Sequence, residues 1–146
     1  MCIRDRLGMT VGEALLSPTR LYAPIAKAVL EEVGGGVHGM VHNTGGGQTK
    51  CMRLGRGVRY VKDGLPEPDP IFRLIQREGG VEWREMYQDF NMGVGFEFIV
   101  SPDAVDDVLS VSERYGVGGV VVGRCELSRE RNSLEIRSPY GEFTYP

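Results

Sequence analysis

The sequence predicts an α/β domain of the α+β type, a mixed four- to five-stranded sheet with helices packed on it, and three observations support that prediction. Segments of period two and segments of period three to four interleave along the chain, so strands and helices are neighbours in sequence. The stretch Gly119 to Cys125 is a valine-rich run of the kind found in a buried central strand. Trp83, Met86, Tyr87 and Phe90 fall at i, i+3, i+4 and i+7, which is one buried helical face. With 146 residues, 41% of them hydrophobic and 25% charged, the chain is long enough for one domain with a real core.

The elements follow in order. Residues 1–10 show no periodic pattern and are read as a leader and junction outside the fold. Ser17-Pro18-Thr19-Arg20 is a turn signal, and Pro24 suits the first turn of a helix whose apolar stripe is Ile25, Ala26, Val29, Leu30 and Val33. Gly34-Gly35-Gly36 ends that helix as a C-cap and turn, and Val37 to Val41 is a strand. Val58 to Lys62 is a short strand closed by Asp63-Gly64. Pro66, Pro68 and Pro70 make a stiff connection, with Asp69-Pro70 starting a helix that carries Ile71, Phe72, Leu74 and Ile75. Phe96, Phe98 and Val100 alternate in one phase of a strand, and Glu97 interrupts the other. Ser101-Pro102-Asp103 starts a helix reaching Tyr115, after which come the Val-rich strand and a last strand at Ser133 to Arg137. The domain is thus expected over 11–138, with a tail at 139–146.

The functional signal is His42-Asn43-Thr44-Gly45-Gly46-Gly47-Gln48-Thr49-Lys50, at the mouth of an apolar strand. Three consecutive glycines expose backbone N–H groups that no Cβ shields, a concave donor surface suited to an anion. His42, Thr44, Gln48, Thr49 and Lys50 add side-chain donors for a phosphate or a polar substrate. The spacing is neither a Walker A loop nor a dinucleotide fingerprint. His38 and His42 would lie roughly 13 Å apart on a strand, too far to share a zinc ion, so no metal site is expected. A balance of 17 basic against 20 acidic residues leaves no electrostatic footprint for nucleic acid. No apolar run approaches the roughly 20 residues that span a bilayer, which points to a cytoplasmic protein. Cys2, Cys51 and Cys125 are an odd, widely spaced set and read as free thiols.

Four stretches together resemble one family. Gly12-Glu13-Ala14-Leu15-Leu16 with Pro18-Thr19-Arg20 and Tyr22, His42 with Thr44-Gly45-Gly46-Gly47, Glu85-Met86-Tyr87 with Phe90-Asn91-Met92-Gly93-Val94-Gly95, and Val122-Gly123-Arg124 look like the C-terminal domain of the phosphoribosylformylglycinamidine cyclo-ligases. These are the aminoimidazole ribonucleotide synthetases of purine biosynthesis. The similarity covers roughly Val11 to Leu127.

The resemblance implies a homodimeric enzyme that uses ATP and magnesium to close the imidazole ring of formylglycinamidine ribonucleotide. It further implies that most of the nucleotide site belongs to an N-terminal domain that this fragment lacks, and no residue of this chain is assigned as general acid or base. On the family pattern, His42, Thr44, Gly45, Gly46 and Gly47 bind the substrate, Thr19 and Arg20 form a second wall, and Asn91 with Gly93 a third. Many members follow the glycines with Asn-Ile-Pro-Arg, whereas this chain has Gln48-Thr49-Lys50-Cys51-Met52-Arg53, which leaves both Lys50 and Arg53 as the basic residue facing substrate. Formylglycinamidine ribonucleotide synthetase, thiamine monophosphate kinase, selenophosphate synthetase and a hydrogenase maturation factor share the architecture. Glu85 to Gly95 favours the cyclo-ligase. The alternative of another class is a module that binds phosphorylated ligands without chemistry.

Overall fold

The computed structural model describes residues 8–146, so the first seven positions of the expected leader lie outside the described residues. Thr10 opens a short helix α1 (Val11–Leu15) through a capping box, its hydroxyl accepting from the Glu13 amide and its own amide donating to the Glu13 carboxylate. The Thr10 amide and hydroxyl both donate to the Glu13 carboxylate, which holds that carboxyl below its ordinary range. Helix α2 (Ala23–Glu32) takes Pro24 in its first turn and buries Ile25, Ala28 and Val29. A 3₁₀ turn of Gly34–Gly36 leads to β1 (Val37–His42), and a second 3₁₀ helix, Gly47–Arg53, precedes β2 (Val58–Lys62). Helices α3 (Pro70–Gly79) and α4 (Trp83–Asp89) then lead to β3 (Phe96–Val100). Helix α5 (Val105–Arg114) is followed by β4 (Arg124–Leu127), β5 (Ser133–Ser138) and β6 (Gly141–Tyr145).

The strands divide into two sheets, where the sequence pattern suggested one. β1 and β3 form an antiparallel ribbon, and β4-β2-β5-β6 form a mixed sheet with the parallel pair β2·β5 at its centre. Both faces of the ribbon are covered. Val41 and Ile99 join the larger core with Tyr60, Met86, Tyr87, Leu134 and Ile136. Val37, Phe98 and Val100 pack on the smaller core of Ile25, Val29, Val108 and Val111 from α2 and α5. The ribbon is therefore a shared wall between two apolar clusters, which is why the phase of β3 opposite the phenylalanines is buried too.

Two expectations are corrected. The valine-rich run is an irregular segment, and strand structure begins only at Arg124, on the edge of the mixed sheet. Val120 and Val121 are 59% and 57% exposed. The Gly64 amide donates to Val122 O, and Gly123 lies so tightly on β2 that a Cβ there would stand 1.9 Å from Val61 O. Apolar content alone does not separate a central strand from a segment laid across a neighbouring strand. The expected tail is the second correction, since Gly141–Tyr145 pairs with β5, buries Tyr145 and donates the Tyr145 hydroxyl to Arg84 O.

Cys51 sits in the larger core at 1% exposure, and burial pushes its thiol up to about 11. A thiol whose folded pKa is raised contributes stability fully below the unfolded value near 9 and loses it as pH climbs towards 11. At pH 8, iodoacetamide is expected to label Cys125 on the exposed strand edge and to leave Cys51 unmodified until the protein unfolds. Peptide mass spectrometry reads the outcome, and equal labelling of the two in the folded protein would refute the assignment of Cys51 to the core. No helix among the described residues is long and apolar enough to cross a membrane.

Candidate functional site

The backbone leaving β1 is fixed before it reaches the glycines. The Asn43 amide donates to Gly95 O at 2.9 Å, and its side-chain Nδ2 donates to Val94 O at 2.9 Å and to Glu97 Oε1 at 2.6 Å. Gly45, Gly46 and Gly47 all take positive φ, at 59°, 102° and 46°. Gly47 is buried against the end of α4, whereas Gly45 is exposed and Gly46 half-exposed. Among the described residues, neither the Gly45 nor the Gly46 amide meets an acceptor. Gly46 O is taken by the amide and hydroxyl of Thr49, which closes the first turn of the 3₁₀ helix. Two of the three glycine amides thus remain open as donors beside the exposed Thr44.

The flanking groups differ in how they stand. Lys50 donates its ammonium to Thr44 O, on the rim of the loop, and the Arg53 guanidinium lies over Gly46, 3.7 Å from where a Cβ would be. Both basic residues therefore border the open amides. Asn91 accepts from the Gly93 amide through Oδ1 at 3.0 Å, and its carbonyl accepts from Gln48 Nε2 at 2.6 Å. That bond ties the Asn91–Gly93 turn to the glycine loop. His42 is exposed at the end of β1, its ring 5.6 Å from that of Tyr22 and 6.0 Å from that of Phe96. Tyr22 in turn stacks on Phe96 at 5.2 Å.

Thr44, Gly45, Gly46 and Lys50 are thus gathered at the loop, with the Asn91–Gly93 turn tied to it through Gln48 and His42 at the strand end before it; Gly47 turns inward, and Arg20 and Gly93 line one cavity. Arg20 donates to Gly116 O at 3.3 Å, in the turn just past the end of α5. Thr19 is exposed and makes no hydrogen bond to a described residue. A cavity of about 910 Å³ opens between β3, α5 and the 117–125 segment, with Arg20, Tyr22, Lys62, Glu97, Phe98 and Val122 among its walls. His38 is not drawn into this surface: its Nε2 lies 2.8 Å from Ser101 Oγ.

Sequence reasoning missed the polar group beneath the loop. Lys62 and Glu97, 3% and 8% exposed, form an ion pair at 2.6 Å, and the Lys62 ammonium also donates to the carbonyl and the side-chain oxygen of Gln48. The available signal was a pair of opposite charges, each next to apolar residues in its strand: Lys62 after Tyr60-Val61, Glu97 between Phe96 and Phe98. Among the described residues, no three His, Cys, Asp or Glu side chains are placed together to hold a metal ion.

Compared with known families, residues 3–131 match the model of the AIR synthase related protein, C-terminal domain. The chain belongs to this family. Among curated relatives of this AIR synthase related domain, it is 41% identical over 136 residues to the phosphoribosylformylglycinamidine cyclo-ligase of Methanocaldococcus jannaschii, covering 92% of this chain and 39% of that protein. It is 52% identical over 103 residues to the enzyme of the same name from Methanothermobacter thermautotrophicus, covering 70% of this chain and 30% of that protein. The chain therefore spans well under half the length of these relatives. Crystal structures of Escherichia coli HypE, one of them described as a hydrogenase maturation protein, superpose with TM-scores of 0.59 and 0.62 at 17% and 19% identity. They cover 97% and 99% of this chain and 45% and 44% of those chains, and so share the fold of this AIR synthase related domain.

Proposed function

We propose that this domain is the substrate-binding part of a phosphoribosylformylglycinamidine cyclo-ligase that works with an N-terminal nucleotide-binding domain. The observation that carries the reading is the likeness to the cyclo-ligases named above, and the open amides of Gly45 and Gly46 are the feature of this chain that suits it. In the reaction, ATP phosphorylates the formyl amide oxygen of formylglycinamidine ribonucleotide. An internal nitrogen then attacks the same carbon, loses a proton and expels phosphate, giving aminoimidazole ribonucleotide, ADP and phosphate. ATP and magnesium are assigned mainly to the N-terminal domain, as the likeness to the cyclo-ligases implies. The reading also takes the full-length enzyme to be a cytoplasmic homodimer.

Within that scheme the chain's own residues bind and orient. The Gly45 and Gly46 amides, flanked by Lys50 and Arg53, receive the ribose phosphate, because oriented N–H groups and a cation both favour an anion. Thr44 and His42 meet the polar groups of the substrate, with Asn91 and Gly93 on the opposite wall. Thr19 and Arg20 border the approach.

In the full-length protein supplied with ATP, magnesium and formylglycinamidine ribonucleotide, aminoimidazole ribonucleotide should accumulate. His42→Ala should lower kcat/KM by roughly 10- to 100-fold, the equivalent of one hydrogen bond to a charged or polarised group. Arg20→Ala, whose guanidinium is engaged at Gly116, should act in the same direction and more weakly. Consumption of a different phosphorylated substrate, or binding of phosphate ligands without turnover, would replace this reading.

A further inference from the structure

No step above uses the cluster of Asn43, Gln48, Lys62 and Glu97, yet it is the most heavily bonded polar group in the interior. All three ammonium hydrogens of Lys62 are committed: Gln48 O and Gln48 Oε1 accept at 2.9 Å, and Glu97 Oε1 at 2.6 Å. The two hydrogens of Asn43 Nδ2 go to Val94 O and to the same Glu97 oxygen. Gln48 Nε2 reaches across to Asn91 O. The Lys62 and Glu97 side chains are 4% and 7% exposed. Four segments meet here: the end of β1, the first turn of the 3₁₀ helix, the end of β2, and β3 with the turn before it.

A buried ion pair stabilises a fold no better than apolar side chains of the same volume, because desolvation of the two charges offsets their attraction. Its value lies in direction, since it accepts only one arrangement of its partners. Here that arrangement fixes the Gln48 carbonyl, one residue past the glycines, and through Gln48 Nε2 the Asn91 turn opposite. Asn43 Oδ1 is buried with no hydrogen-bond partner among the described residues, so the Asn43 side chain is held by the two bonds its Nδ2 donates. We propose that Lys62 and Glu97 are positioning residues, which hold the glycine loop and the Asn91–Gly93 turn at the separation that receives the phosphorylated substrate. The inference rests on the substrate reading given above.

The test is the double substitution Lys62→Met with Glu97→Gln in the full-length protein, which removes both charges together and leaves no unpaired ion. Stability in urea should recover most of what Lys62→Met alone loses, the remainder being the two Gln48 oxygens left without a donor. Amide hydrogen exchange at Gly45 to Gln48 should quicken, and KM for the phosphorylated substrate should rise, each by about tenfold with kcat altered much less, the low end of what supporting residues contribute. A folded double variant with loop exchange and KM both unchanged overturns the proposal. If that variant does not fold, Gln48→Ala, which cuts the link to Asn91 and keeps the ion pair, must show the same two changes or the proposal falls. Exchange is read without turnover, so an inactive full-length protein would sink the cyclo-ligase reading while leaving the positioning role to be decided by the loop.

Discussion

Gly47→Ala is expected to destabilise the domain by roughly 2–5 kcal/mol, the sum of a left-handed backbone penalty and a packing clash. The φ of Gly47 is 46°, and a Cβ there would lie 2.5 Å from Phe90 O, 2.8 Å from Phe90 N and 2.8 Å from Tyr87 O. All three are backbone atoms at the end of α4, so no rotamer change relieves the collision. The loop or the helix must move, and with it the Asn91 turn that begins one residue after Phe90. Gly45→Ala supplies the control. Its φ of 59° is equally left-handed, but nothing lies within 4 Å of the added Cβ, so a loss of only about 1–2 kcal/mol is expected. Urea unfolding of the two variants measures the difference, and equal losses would show that the close approach to α4 does not exist in solution.

The second large effect is expected from Lys62→Met alone. It leaves Glu97 buried without its cation and strips Gln48 of two bonds, and breaking one side of a buried pair in this way destabilises by about 3–5 kcal/mol. The exposed pair Lys27 and Glu31, four residues apart on α2, gives the contrast, since Lys27→Met there should change stability by no more than about 0.5 kcal/mol. Denaturant midpoints of both variants decide the matter. A Lys62→Met protein as stable as Lys27→Met would mean that water reaches Glu97. The double substitution with Glu97→Gln should recover most of the loss, which separates the consequence of a stranded charge from any need for the pair itself.

Much of the local architecture was legible because its causes are local. Pro24 and Pro70 preset helical φ and mark the first turns of α2 and α3. The Trp83, Met86, Tyr87 and Phe90 spacing put Met86 and Tyr87 in the core, where both are at most 1% exposed. Phe96, Phe98 and Val100 gave β3 its phase. The glycine loop was found from composition and place in the chain, and the family resemblance added Asn91 and Gly93 to the same surface. The fate of its amides was not legible. Gly47 turns inward against α4 while Gly45 and Gly46 stay open, and nothing in three identical residues distinguishes them.

The sequence by itself determined the helices α2 to α5, the strands β1, β2, β3 and β5, the mixed α/β class and the family, since propensity, capping and short motifs act over a few residues. Only the tertiary structure decided that the strands split into a ribbon and a four-stranded sheet, that residues 141–145 complete that sheet, and that the valines at 120 and 121 face outwards. It also decided that Lys62 and Glu97 face each other in the interior. The physical reason is the same in each case. A period of two or of 3.6 states that a face exists, but what covers that face is a residue dozens of positions away. A lysine or a glutamate reads as solvated until the fold brings its partner within hydrogen-bonding distance.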